Sequence, residues 1–299
     1  MFAPVLLFVY CRPEHTRRTV ESLLANSESA GSDLIICSDA PRSPAVAPRV
    51  QQVRDYCRSL QGFASVRLIE SETNLGLAGS IIRGVSKALE QYERVIVLED
   101  DLVLSPYFLK FMNDGLNTYC DDEHVASIHG YCYPVRNSLP ETFFLRGADC
   151  WGWATWRRSW QLFQPDGTLL LQELESRNLE QHFDLGGAMA FTQMLRDQIA
   201  GLNDSWAVRW HAACFLAERL TLYPGVSLVS NAGLDGSGVH CRAEEKLAAD
   251  VSLKPVKVVR QAIREDRTAR ARIARHLAGG HRSRFGIRQL LTWLRRVLK

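Results

Sequence analysis

Four short apolar runs punctuate the first hundred residues: Val5–Tyr10, Leu34–Cys37, Val66–Ile69 and Val95–Leu98. Between them lie helix-like segments at about 14–25, 49–60 and 77–91. In the last of these, Leu77, Ile81, Ile82, Val85, Ala88 and Leu89 recur at the i, i+3/i+4, i+7 spacing of an amphipathic helix. Each apolar run is short enough to be a strand buried on both faces. Strand–helix alternation of this kind predicts an α/β fold with a mostly parallel central sheet flanked by helices. Ligands of such sheets bind beyond the carboxyl ends of the strands. The residues to watch are therefore Arg12-Pro13, Ser38-Asp39, Glu70–Asn74 and Glu99–Asp101.

The stretch 105–218 is richer in helix and in aromatic residues. Pro106 suits the first turn of a helix continuing through Tyr119. Val125–His129 and Thr142–Leu145 read as strands, and further helices are expected at about 183–200 and 205–218. Trp151, Trp153, Trp156 and Trp160 cluster between them. A last strand, Val226–Val229, leads into the glycine-rich loop Asn231–His240. Beyond about residue 250 the composition shifts to Arg, Ala and Leu, which places a boundary there. Residues 254–299 carry 14 Lys and Arg against Glu265 and Asp266, so the body is acidic and the tail basic.

Eight cysteines, none spaced as C-x-x-C and several within apolar runs, argue against a zinc knuckle or a disulfide framework and fit a reducing compartment. The run Pro4–Cys11 has no basic leader and reads as a buried strand, not a signal peptide. No stretch approaches the ~20 apolar residues of a membrane span. A soluble, cytoplasmic protein is the expectation.

Glu99-Asp100-Asp101 stands at the end of Val95–Leu98. Three adjacent carboxylates repel one another, and a divalent cation removes that penalty. Mg²⁺ or Mn²⁺ prefers one or two carboxylates plus phosphate oxygens, which suits a phosphorylated ligand. A solvated acidic turn is the alternative. Asp39, at the end of the second run, suits either a turn or helix cap or acceptance of a nucleobase ring N–H. Asn74-Leu75-Gly76-Leu77-Ala78-Gly79 opens the third helix with small residues. Either it is an ordinary capped helix, or it lets a phosphate or ribose approach the N–H groups, with Arg83 one turn beyond adding positive charge. Asp204, beside Trp206 and Trp210, reads as a helix N-cap or as a general base for an acceptor hydroxyl. His240, in the glycine loop, is either structural or a ligand of a metal or phosphate.

Taken in order, these pieces resemble the nucleotide-sugar glycosyltransferases of the GT-A (Rossmann-like) fold over roughly residues 3–245. Val95–Phe111 is similar to the inverting N-acetylglucosaminyltransferase I group, which also carries an acidic triplet at a strand end. The VYCRPEHTRRTVESLL opening and the NLGLAGSIIRG stretch resemble bacterial family 2 transferases. The resemblance implies a GT-A domain at 1–250, with a nucleotide-sugar-binding half at 1–102 and an acceptor-binding half at 103–250, followed by a basic helical tail at 251–299. It implies that Asp39 contacts the base, Asp100 the ribose, Glu99 the donor sugar and Arg12 the phosphates, with Asn74, Gly76 and Arg83 around the donor. Asp101 would bind the metal, Mn²⁺ or Mg²⁺, with His240 as a further ligand. Asp204 would be the base, although Ser205 replaces one acid of the related Asp-Asp-Trp site. Trp151, Trp153 and Trp206 would form the acceptor wall.

The expected activity is inverting transfer from a nucleotide sugar, taken to be a UDP-sugar, to a hydroxyl of a glycan or lipid-linked acceptor in bacterial surface polysaccharide synthesis. A sugar-nucleotide nucleotidyltransferase or a non-catalytic sugar-nucleotide-binding module are the alternatives. The former would carry a glycine-rich basic loop where Cys11-Arg12-Pro13-Glu14 stands. In the tail, Phe285, Ile287, Leu290, Leu291, Trp293 and Leu294 alternate with Arg284, Arg288, Arg295 and Arg296. This composition suits either a terminal helix packed on the body or an interfacial helix on anionic lipid at the inner membrane face. Its arginines are not interleaved with stacking aromatics, so no nucleic-acid partner is expected.

Overall fold

The structure is a computed structural model that describes residues 2–235 and 247–279. The four apolar runs form β1 (Val5–Val9), β2 (Asp33–Ser38), β3 (Ser65–Glu70) and β4 (Arg94–Glu99). The segments between them are helices α1 (Pro13–Leu24), α2 (Ala47–Arg58) and α3 (Gly76–Gln91). Then follow β5 (Leu102–Leu104), α4 (Phe108–Thr118), β6 (Val125–His129), β7 (Thr142–Arg146), β8 (Trp153–Trp156) and α5 (Arg157–Trp160). Next come α6 (Gly167–Ser176), α7 (Glu180–Phe183), α8 (Phe191–Ile199), α9 (Trp206–Leu216), β9 (Leu220–Pro224) and β10 (Val229–Asn231).

Eight strands make one sheet in the order β3-β2-β1-β4-β8-β6-β9-β7, and β5 pairs with β10 in a small second sheet. Only β8 and β7 run against their neighbours in the large sheet, which is mostly parallel as the alternation predicts. β1 shows why its run is apolar throughout. Val5, Leu7 and Val9 enter the core shared with α1 and α4, while Leu6 and Phe8 enter the core shared with α3 and α9. Period-two side chains buried on both faces leave no polar position in a central parallel strand. The approach of α3 is close: a β-carbon on Gly84 would lie 2.6 Å from the Phe8 ring.

Three expectations shift. The strand read at Val226–Val229 is replaced by β9 and β10 on either side of a turn at Pro224-Gly225, and Val226 is exposed. The helix read at 183–200 divides into α7 and α8, because Gly186 and Gly187 take φ of 74° and 84° in the turn between them. Pro106 precedes α4 instead of opening it; the Ser105 hydroxyl accepts from the Tyr107 N–H at 3.2 Å just ahead of the helix.

Residues 247–279 return across the body. Ser105 Oγ donates to the Ser252 carbonyl at 2.6 Å and Tyr131 OH to the Leu247 carbonyl at 2.9 Å. In a helix at 267–279, Ala269, Ile273 and Leu277 are buried at i, i+4, i+8 in the same core as β1 and α4. The interfacial helix read at 284–296 lies outside the described residues. Among the described residues no disulfide joins the cysteines, and no helix is long and apolar enough to cross a membrane.

Candidate functional site

The carboxyl ends of β1, β2 and β4 bring most of the candidate residues to one edge, in two adjoining groups. In the first, Arg12 caps the step from β1 into α1, with Pro13 opening the helix. Its guanidinium donates to Asp100 Oδ1, and to Asp101 Oδ2 at 3.0 Å. Asp100 is 4% exposed, its Oδ2 accepts from the Tyr10 N–H at 3.3 Å, and its carbonyl accepts from the Thr19 hydroxyl at 2.9 Å. The triplet is thus tied to both ends of the β1–α1 connection. Glu99 keeps a partly exposed surface, but its carboxyl is enclosed. Burial, then the Asp101 and Asp100 charges, push its pKa up to about 8, against the opposing pull of Arg12. Burial also raises Asp100, with Arg12 working against it.

Among the described residues, three carboxyl groups therefore meet one guanidinium, and Glu99 answers the surplus by holding a proton. The turn after β10 closes on the same group. Ala232 N–H donates to the Asp101 carbonyl at 2.7 Å, and a β-carbon on Gly233 would lie 2.5 Å from Asp101 Oδ2. The beginning of the glycine loop is fitted against the triplet, where a side chain would collide with it. His240 and the rest of that loop lie outside the described residues.

The second group centres on Asp39. Its Oδ1 accepts from the N–H groups of Ala40 and Leu75, both at 2.9 Å. Its Oδ2 accepts from Asn74 Nδ2 and the Gly76 N–H, both at 3.0 Å. A carboxylate has about four lone-pair sites, and all are used. Asp39 is the cap that fixes the Asn74–Gly76 turn to β2, the first of the two uses its position suggested. Gly76 takes φ +69°, the left-handed region that glycine enters without strain.

Asp204 adjoins this turn: its Oδ2 lies 3.9 Å from where a β-carbon on Gly76 would stand. The N-cap of α9 is Ser205, whose hydroxyl accepts from the Val208 N–H at 3.2 Å. The Asp204 carboxylate, 64% exposed, is left to face solvent with Arg209 at 3.5 Å. Arg83 stands apart. It is exposed on α3, seven residues and roughly 10 Å of helix beyond Gly76.

The tryptophans separate by face. Trp153 and Trp206 are 1% and 2% exposed and stack on each other at 5.5 Å, with Trp160 and Trp210 against Trp153. Rings enclosed in this way present no face to a sugar, which corrects their reading as acceptor wall. The reason is register: Trp153 sits on β8, whose side chains alternate into the two cores. Trp151, before the strand, is half-buried with its ring 4.8 Å from that of Tyr131.

Sequence reading passed over Asp149. It accepts from Tyr133 OH at 2.9 Å and Tyr223 OH at 3.5 Å, with His129 Nε2 3.8 Å away. Its one local signal is its place between Gly147 and Gly152, which take φ of 95° and 65°.

The family model for glycosyl transferase family 2 matches residues 5–166, more than half of the chain, and spans β1, the Asp39–Asn74 cap and the acidic triplet. The chain belongs to glycosyl transferase family 2. Solved structures of low identity are similar to this family 2 chain. S. aureus TarS is 17% identical, with 50% of this chain and 25% of that one covered and a TM-score of 0.34. TarS 1–349 in complex with UDP-GlcNAc is 17% identical, with 47% and 40% covered and a TM-score of 0.32. The mannosyltransferase PcManGT from Pyrobaculum calidifontis, in complex with GDP-Man and Mn²⁺, is 14% identical, with 42% and 34% covered and a TM-score of 0.31. The chain thus spans between a quarter and two fifths of those proteins. No curated protein matches it.

Proposed function

We propose that this family 2 chain is an inverting glycosyltransferase that moves a sugar from a nucleotide-sugar donor, a UDP-sugar in our reading, to the hydroxyl of a glycan or lipid-linked acceptor. The observation that carries the reading is the surplus of carboxylates over cations at the end of β4 among the described residues, with an exposed carboxylate at the head of α9 beside the Gly76 turn of the same sheet edge. Arg12 passes directly into α1 without a glycine-rich basic loop, which speaks against nucleotidyl transfer.

Among the described residues, no three His, Cys, Asp or Glu side chains form a ready metal cage. The donor set instead suits a hard cation held by one or two carboxylates and completed by phosphate oxygens. Asp101 is the residue to hold Mn²⁺ or Mg²⁺, and such a cation supplies charge neutralisation to a departing diphosphate. The chain's own groups do the rest. The Asp39-capped turn holds the donor edge of the sheet in shape, and Asp100 and Glu99 border the ribose and sugar. Arg12 offers its guanidinium to the phosphates. Asp204 takes the proton of the acceptor hydroxyl as its oxygen bonds to the anomeric carbon. The bond from that carbon to the diphosphate breaks on the opposite face, so the nucleoside diphosphate leaves and the configuration inverts.

The cellular setting in this proposal is bacterial surface polysaccharide synthesis, with residues 280–299 touching anionic lipid at the inner membrane face. A thermal-shift screen of UDP-, GDP-, CMP- and dTDP-sugars with and without Mn²⁺ tests the donor claim. Stabilisation by one nucleotide class, strengthened by Mn²⁺, is expected. No response to any of them would overturn it.

A further inference from the structure

Asp149 belongs to a second polar group at the same sheet edge, assembled from three distant parts of the chain. β8 runs antiparallel to β4 with Trp153 opposite Val97. The segment Asp149–Gly152 therefore enters the sheet beside Glu99–Asp101 leaving it. From the other side, β6 sets His129 opposite Trp153, and β9 supplies Tyr223. The neighbouring Ala148 N–H bonds to His211 on α9 at 3.1 Å, which ties this segment to the helix that Asp204 precedes.

The chemistry of the group is unusual for a core. Tyr133 and Tyr223 are buried, and both aim their phenols at Asp149 Oδ2. His129 is 0% exposed, and among the described residues neither ring nitrogen has a hydrogen-bond partner. Its Nε2 lies 3.8 Å from Asp149 Oδ2, too far for a hydrogen bond. Burial brings the His129 pKa down to about 4, so the ring is neutral. An unpaired buried polar group costs about 1–3 kcal/mol, and native structures keep few of them without a purpose. The Asp149 side chain itself is 29% exposed, and Oδ1 accepts only from the adjacent Cys150 N–H among the described residues. Beside it, Trp151 is half-buried, with its ring 4.8 Å from that of Tyr131 and nearly perpendicular to it.

A carboxylate takes hydroxyl donors and repels phosphate, while an indole face takes the apolar face of a ring. We infer that Asp149, backed by Tyr133, Tyr223 and His129, binds the hydroxyls of a neutral acceptor sugar whose ring lies on Trp151. The inference rests on the transferase reading above and deepens it: the acceptor end at the site is a sugar ring, not a lipid phosphate.

The test titrates p-nitrophenyl glucoside, galactoside, mannoside and N-acetylglucosaminide into the full-length protein by saturation-transfer NMR. Each titration is run with the nucleotide that stabilises it. The wild type should bind at least one glycoside. Asp149→Asn should weaken that binding by about tenfold or more, the loss expected when a charged acceptor of sugar hydroxyls is neutralised. Tyr133→Phe, which keeps the ring and leaves Asp149 short of a donor, should weaken it several-fold, and serves alone if Asp149→Asn does not fold. Nucleotide binding should stay within about twofold in both. Unchanged glycoside binding in the variants overturns the inference. So does a wild type that binds nucleotide but no glycoside; either result leaves the transferase reading intact. Failure to bind any nucleotide removes that reading, and the inference with it.

Discussion

Arg12 donates to Asp101 at 3.0 Å, so the arginine that precedes α1 neutralises the carboxylate proposed to hold a cation. The same guanidinium serves Asp100, leaving, among the described residues, one positive group for a triplet whose third member keeps its proton. Removing it as Arg12→Ala leaves buried carboxylates uncompensated. The partly exposed arginine sets the penalty below that of a fully buried pair, at roughly 2 kcal/mol. Urea unfolding in chelator should show that loss, and millimolar Mn²⁺ should recover a good part of it. No recovery with Mn²⁺ would count against cation binding at Asp101.

Glu99 makes stability depend on pH in a direction opposite to most carboxylates. Its pKa is raised in the folded protein from 4.5 to about 8, so the fold binds the proton more tightly than the unfolded chain. The contribution is fully present below about pH 4.5 and is lost as pH rises through 8. Melting temperature in chelator should fall across this window, and Glu99→Gln should flatten the fall. A wild-type profile already flat between these limits would refute the assignment.

Asp39 should behave as a structural cap. Asp39→Ala leaves the Leu75 and Gly76 N–H groups without their acceptor, while the Asn74 amide keeps the Ala40 carbonyl at 2.6 Å, an expected loss of about 2–4 kcal/mol. Gly76→Ala forces a β-carbon into left-handed backbone and should cost about 1–2 kcal/mol. Denaturant unfolding reads both, and a stability-neutral Asp39→Ala would contradict the cap.

The tryptophans give a contrast in one measurement. Trp153→Ala removes the centre of a buried stack and should cost about 3–5 kcal/mol, whereas Trp151→Ala should cost clearly less. Equal losses on urea unfolding would contradict the separation of the two residues into core and site.

The parallel half of the sheet was legible because central strands and their covering helices write their burial directly into the residue pattern. β1 to β4 and α1 to α3 fall within a residue or two of the expected spans. β5 and β8, at three and four residues, are too short to show a period, and Pro224-Gly225 displaced the reading of β9. The acidic triplet was legible because its members are adjacent. The Asp39 cap was open to two readings, because the sequence does not show how many donors converge on one carboxylate. Asp149 was not legible at all, since its partners Tyr133 and Tyr223 stand 16 and 74 residues away.

Sugar transfer as proposed requires Asp101 to serve a cation. The direct measurement is nucleotide release from the stabilising nucleotide sugar, with Mn²⁺ and after chelation, for wild type and Asp101→Ala of matched melting temperature. Release should be Mn²⁺-dependent in the wild type and fall by at least about a hundredfold in the variant, the scale of a lost electrostatic stabiliser. Near-wild-type release by Asp101→Ala, or wild-type release indifferent to chelation, would contradict that requirement.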